Sequence, residues 1–293
     1  MLKTQLSQTG LVRLAPLLNQ EQLQLWNQLL DPIFANQSKT RRYATAEDLM
    51  QCGLLADLFR PEVRALLDAL IPNARVFHLH AYEIDAKNSQ SHIEGDNQLA
   101  GWHRDYDCRP SGLNEKPEFI SLFIYLTDVA EDGGAFEICP TPLKLLPLSL
   151  HGQLPLRVTG SAGTSFLFNR VFVHRASPNL SSVKRRVLKL SIQPAGFENK
   201  RIHFPQFAQV RAALPTDDHW LRRFFGLAVE PDRLAETTLK VDSLAIQEHG
   251  AQLNLNWRSR FLHLFRELYY LKTLWLHWRR FTEKHDAFLA PET

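Results

Sequence analysis

The sequence predicts a mainly β core held between helical N- and C-terminal flanks, and three observations carry that reading. From Arg75 the chain breaks into short runs that alternate in polarity or are rich in β-branched and aromatic residues. Gly, Pro, Asp and Asn separate these runs, and no helical pattern lies between them, which favours a sandwich or barrel over a parallel α/β sheet. Leucine-rich segments at near-helical spacing stand on either side. No GxGxxG run is present to argue for a dinucleotide-binding sheet.

In chain order, Leu14, Leu17, Leu18, Leu23, Leu25, Leu29 and Leu30 mark a helical stretch that Pro32 should stop. A second runs over Ala46–Leu70, interrupted at Pro61 and closed by Pro72. The first seventy residues thus read as helical. RVFHLHAYEI then reads as a strand and DAKNSQSHIEGDN as a polar loop. Further strand candidates are LAGWHRDYD, EFISLFIYLTDV, GAFEICP, LRVTG, GTSFLFNRVFVH and RRVLKLSIQP. Helices return after Pro194, ending in a stripe over residues 257–281 that runs from Trp257 through Phe261, Leu264 and Leu268 to Trp275 and Trp278. The expected division is 1–75 for N-terminal helices packing on the core, 76–196 for the β core and 197–293 for a helical extension, as one integrated domain.

The composition is that of a soluble globular protein: 44% hydrophobic and 22% charged over 293 residues. A net charge of +3 is too small to argue for nucleic acid, and none is expected as a partner. Cys52, Cys108 and Cys139 are few and far apart, which suggests neither a zinc ribbon nor a disulfide framework, and fits a reducing compartment. MLKTQLSQTG lacks a secretory apolar core, and no long apolar stretch occurs. The expected location is cytoplasmic, or peripheral to a membrane. The 257–281 helix interleaves its aromatic stripe with arginines, so it is read as packing on the core, as a dimer contact, or as lying at an anionic membrane surface.

The chemistry centres on GWHRDYD. On a strand, residues i and i+2 share a face, so His103 and Asp105 would present an imidazole and a carboxylate together. A second histidine would complete the two-His-one-carboxylate set of non-haem Fe(II) oxygenases, which leaves coordination positions open. His174, at the end of SFLFNRVFVH, is the best candidate. Asp107 also falls on the His103 face and stands as the alternative to Asp105. An oxygenase that uses 2-oxoglutarate further needs a cation for the far carboxylate, and arginine can hold it bidentately. Arg185 and Arg186 open the strand that follows His174. By parity Arg186 shares a face with Leu188, Leu190 and Ile192, which looks like packing against helices. Arg185 shares the more polar face of Val187, Lys189 and Ser191, with Lys189 as a second candidate.

Taken in order, GWHRDYD, SLFIYLTDVAEDGGAFEICP, GTSFLFNRVFVHRASPN and RRVLKLSI resemble the phytanoyl-CoA dioxygenase family of Fe(II)/2-oxoglutarate-dependent oxygenases. The likeness covers roughly residues 76–196. It implies a double-stranded β-helix (a jelly roll, cupin-like), with Fe(II) on His103, Asp105 and His174 and 2-oxoglutarate on Arg185. Arg185 stands eleven positions after His174, a spacing common in that family. The chemistry implied is hydroxylation, with O₂, of a C–H in a small metabolite, lipid or sugar-type substrate. Two departures stand out. Pro140 is followed by Thr141-Pro142 where the family usually has Pro-Gly-Ser-His, and Asp105 is present where halogenating relatives carry a small residue.

Other polar residues have plainer readings. His78 and His80 read as core or rim histidines, and His92 and Glu94 as part of a solvated loop. Tyr82, Gln98, Ser121 and Tyr125 read as packing in the barrel interior. Two other function classes stay open at this point: a non-catalytic jelly-roll binding protein, and a cupin-like metal enzyme that does not use 2-oxoglutarate.

Overall fold

The computed structural model describes residues 2–89, 105, 119–140, 155–195, 204–227, 245–246 and 251–252. Two antiparallel sheets form the core. The larger contains β1 (Leu11–Leu14), β2 (Arg41–Thr45), β3 (Arg75–Ile84), β4 (Ile120–Tyr125), β7 (Ser165–Asn169), β9 (Arg185–Gln193) and β10 (Ala245–Ile246). Its spatial order is β10-β1-β7-β4-β9-β3-β2. The smaller contains β5 (Phe136–Ile138), β6 (Leu156–Val158), β8 (His174–Ala176) and β11 (Ala251–Gln252), in the order β11-β6-β5-β8.

Alternation along the strands sorts side chains into two apolar layers. Inward residues of both sheets, among them Tyr82, Phe123, Tyr125, Phe136, Val158, Phe166, Phe168 and Val187, form one buried cluster. Phe136 of the small sheet meets Phe168 of the large one at 4.6 Å between ring centres, so this cluster lies between the sheets. The outer face of the large sheet, with Leu79, Leu122, Leu167, Leu188 and Ile192, belongs to a second cluster shared with the helices. These are α1 (Leu2–Thr9), α2 (Gln20–Ala35), α3 (Ala46–Gln51), α4 (Leu54–Leu58), α5 (Pro61–Leu70), α6 (Ala208–Ala213) and α7 (His219–Phe224). Each apolar face is thereby removed from water, the dominant favourable term in folding.

The N-terminal segment differs from the helical reading in two places. Leu11–Leu14 is a strand paired with β7, and Arg41–Thr45 pairs with β3 at the sheet edge. Over only four residues, a leucine-rich strand is indistinguishable from a helix by spacing alone. Gly10 makes the switch: it holds φ +75°, and a Cβ there would stand 2.6 Å from the Phe172 ring. Pro32 does not stop α2, which continues to Ala35. Buried Leu30 and Phe34 flank the proline and hold the last turn against the sheet. The helices expected after Pro194 include α6 and α7, and Asp218 caps α7 while taking two bonds from Arg64 of α5 (2.9 and 2.7 Å). The 257–281 helix lies outside the described residues. Among the described residues, no helix is long and apolar enough to cross a membrane.

Each sheet also carries a buried glutamate clamped between two cross-strand arginines on its outer face. Glu83 on β3 accepts from Arg42 of β2 (2.7 Å) and Arg186 of β9 (2.5 Å). Glu137 on β5 accepts from Arg157 of β6 (2.6 Å) and Arg175 of β8 (2.5 Å). Both carboxylates are essentially inaccessible to water, and the arginines offset the cost of burying them.

Candidate metal and cosubstrate site

His174 opens β8 rather than closing the run that begins at Ser165. Asn169 breaks that run: its side chain accepts from Val171 N (3.2 Å) and its carbonyl from Phe172 N (3.1 Å), a turn that re-aims the chain before His174. The imidazole is buried, stacked on Phe136 at 5.6 Å and packed on Phe168 at 4.7 Å. Its Nδ1 lies 2.8 Å from Phe172 O. A carbonyl can only accept, so Nδ1 carries the proton and, in the neutral ring, Nε2 is the lone-pair nitrogen.

Nε2 faces Asp105 Oδ2 at 4.0 Å. Divalent first-row metals take nitrogen and carboxylate ligands at about 2.0–2.2 Å, so one ion can touch both atoms. The same Oδ2 accepts from Arg170 Nε at 2.7 Å. Arg170 is 1% exposed and its guanidinium lies over Phe77 at 4.1 Å. The sequence reading did not select Arg170. Its signal was faint: one arginine in a turn, bonded to an aspartate 65 positions earlier. Through this bond Asp105 is oriented by a fixed partner, as carboxylate ligands commonly are.

Asp105 lies in no regular element. His103, Asp107, His92, Glu94 and Gln98 lie outside the described residues, as does Cys108. Two of the three expected metal ligands are therefore described, and they face each other. Among the described residues alone, no three metal-binding side chains cluster.

Arg185 opens β9 on the inner face, while Arg186 turns to the helix side, bonding Glu83, Asp31 and Asn27. Arg185 is 1% exposed, and among the described residues none of its three guanidinium nitrogens has a hydrogen-bond partner. It lies against the rings of Tyr82 (5.4 Å) and Tyr125 (5.6 Å). Neither ring neutralises it. The Tyr125 hydroxyl donates to Val158 O (2.9 Å) and accepts from Phe136 N (3.0 Å). Burial pushes that phenol above its ordinary pKa, against the opposing pull of Arg185, so it stays uncharged. A buried guanidinium with no anion is costly unless a ligand completes it.

Gly134 makes room for this arginine. At φ +76° a Cβ would come within 3.1 Å of Arg185 Cδ and 3.2 Å of Ser177 O. Tyr82, Ser121 and Tyr125 are buried as interior residues, with Ser121 Oγ 2.7 Å from Ser191 Oγ. His78 and His80 are partly buried on the same face.

No family model matches the chain, and no curated protein matches it either. Solved structures do. The non-heme alpha-ketoglutarate-dependent carbocyclase SnoK, from nogalamycin biosynthesis, aligns at 15% identity and TM-score 0.50, over 65% of this chain and 82% of its own. AviO1 from Streptomyces viridochromogenes Tue57 aligns at 15% identity and TM-score 0.52, over 67% and 94%. The likeness is one of fold. At this identity it carries no residue across, so roles in the site rest on the geometry above.

Proposed function

We infer that the chain is an Fe(II)- and 2-oxoglutarate-dependent oxygenase on a double-stranded β-helix of the phytanoyl-CoA dioxygenase type, hydroxylating an unactivated C–H. The observation that carries the reading is Arg185: a buried guanidinium on the inner face of the sandwich with no hydrogen-bond partner among the described residues. A five-carbon keto diacid suits it, one carboxylate taken bidentately by the guanidinium and the keto-acid end turned to the metal. His174 and Asp105 fit the metal by donor chemistry, the first through its tautomer and the second through its held carboxylate. His103 is the third ligand in this reading. The fold shared with a ketoglutarate-dependent carbocyclase supports the assignment.

When bound, the iron with 2-oxoglutarate and O₂ supplies the C–H oxidation, leaving succinate and carbon dioxide. The chain's own residues do the rest. Phe172 O fixes the His174 tautomer, Arg170 holds Asp105 towards His174, and Phe136, Phe166 and Phe168 keep water from the inner face. The Tyr82 and Tyr125 rings confine the Arg185 guanidinium so that it meets its anion already oriented.

Succinate formation should require Fe(II) and vanish in His103→Ala and in Asp105→Ala. Arg185→Gln should raise the dissociation constant of 2-oxoglutarate by about 10- to 100-fold, the worth of a charge-assisted bond of about 1.5–3 kcal/mol. Calorimetry on the metal-loaded protein measures it. Metal binding with no 2-oxoglutarate affinity would support a cupin-like enzyme instead, and no metal binding at all a non-catalytic jelly roll.

A further inference from the structure

Arg170 and Phe172 sit in one turn, at 169–172, and each reaches a different metal ligand. The Arg170 side chain donates from Nε to Asp105 Oδ2 (2.7 Å), and the Phe172 carbonyl accepts from His174 Nδ1 (2.8 Å). Ligands far apart in the sequence are thus oriented from the same few residues. The turn is itself anchored on two sides. Asn169 N donates to Gly10 O (2.8 Å), just ahead of β1, and Arg170 N donates to Phe119 O (2.9 Å), just ahead of β4. With that backbone fixed, what remains to be set is where the guanidinium points.

Phe77 sets it. On β3, Val76 pairs with Ile192 and His78 with Ser191, so Phe77 is the extra residue of a β-bulge. A bulge re-aims a side chain and recurs beside active sites. Here it lays the buried Phe77 ring against the Arg170 guanidinium at 4.1 Å, a cation–π contact. The bulge carbonyl, Phe77 O, accepts from Gln206 Nε2 (3.1 Å) in the helical turn Phe204–Phe207. The chain that follows the β core therefore braces the bulge, the bulge braces Arg170, and Arg170 meets Asp105.

Charge and position make opposite predictions for Arg170. A guanidinium stays protonated, and a cation bonded to a ligand carboxylate repels a divalent ion. On charge alone Arg170 should weaken metal binding. On position it should strengthen it, because an outer partner that fixes a ligand is worth about 10- to 100-fold in metal affinity. The mounting of Arg170, 1% exposed between a bulge ring and a doubly anchored turn, argues for position.

We propose that Arg170 is a positioning residue of the metal site: braced by the Phe77 bulge and by the turn that also fixes His174, it holds the Asp105 carboxylate ready as a ligand. This rests on the oxygenase reading only in taking Asp105 and His174 as metal ligands. An ion pair that served the fold alone would be felt in a melt and not by the metal.

The test titrates Co(II) into the metal-free whole chain, followed by calorimetry and by the visible absorption of the bound ion. Arg170→Gln should weaken binding by about 10- to 100-fold and change the absorption at saturation. Arg170→Lys, which keeps a cationic donor able to reach Asp105, should recover part of both. Phe77→Leu leaves the charge and removes the ring, and should weaken binding by about two- to fivefold. Thermal melts establish that each variant folds; if Arg170→Gln does not, Phe77→Leu and Arg170→Lys decide. Co(II) binding that is unchanged or tighter in Arg170→Gln would overturn the proposal, and so would wild-type protein that takes no Co(II). Wild-type affinity in Phe77→Leu would overturn the part given to the bulge. A 2-oxoglutarate titration of the Co(II)-loaded wild type is the separate arm: metal taken without 2-oxoglutarate sinks the oxygenase reading and leaves the Arg170 result standing.

Discussion

Single residues set this site through what they leave open as much as through what they supply. Gly134 adopts a left-handed backbone conformation and leaves space for the Arg185 side chain, where a methyl group would press on its Cδ at 3.1 Å. Gly134→Ala should therefore weaken 2-oxoglutarate binding by about tenfold by displacing the guanidinium. It should also cost on the order of 1–2 kcal/mol of stability from the strained φ. Ligand titration and a melt on the same sample separate the two effects; unchanged affinity would mean that Arg185 tolerates the displacement. Residues of this kind were half visible in the sequence. The Gly133–Gly134 pair was legible as a motif, but its reason, an arginine 51 positions after Gly134, was not. Arg170 was not legible at all, because nothing in FNRVFVH shows that its partner is Asp105.

At the scale of elements, the longest alternating run reads correctly: RVFHLHAYEI is β3, and RRVLKLSIQ is β9 with Arg185 inward and Arg186 outward. Nine or ten residues of period two overdetermine parity, since a slip of one would move every side chain to the opposite face. Four residues do not, and β1 passed as helix. The turn between β7 and β8 was hidden for another reason, as Asn169-Arg170 sits inside an apolar run and only the Asn169 hydrogen bonds end the strand. What ties the short strands β5, β6 and β8 together is the clamp at Glu137. Glu137→Gln removes the buried carboxylate that Arg157 and Arg175 share and leaves Arg157 with the exposed Glu131 (2.6 Å). Since both arginines are slightly exposed (19% and 11%), the expected loss is about 2–3 kcal/mol, at the low end for a broken buried pair. A fall in melting temperature of about 5 °C or more would register it; an unchanged melt would show that the clamp contributes nothing net.

For the whole molecule, the burial of His80 makes stability depend on pH. His80 titrates near 6.5 when unfolded and is held to about 3 when folded, by burial and by Lys189 and His78. Between those values the unfolded chain binds the extra proton, so stability rises with pH, is complete above about 6.5, and is lost as pH falls towards 3. Chemical denaturation between pH 4 and 7 should show this slope, and His80→Gln should flatten it; the same slope in both proteins would remove His80 as its source. The clamps described with the sheets have a further consequence. Two of the residues assigned to a ligand are each followed directly by a clamped arginine, His174 by Arg175 and Arg185 by Arg186, one pointing in and the next pointing out. The outer charges thus tether the same backbone that carries the inner ones, before any metal or cosubstrate arrives. Less conformational freedom then remains to be lost on binding, and more of each contact's energy survives as affinity.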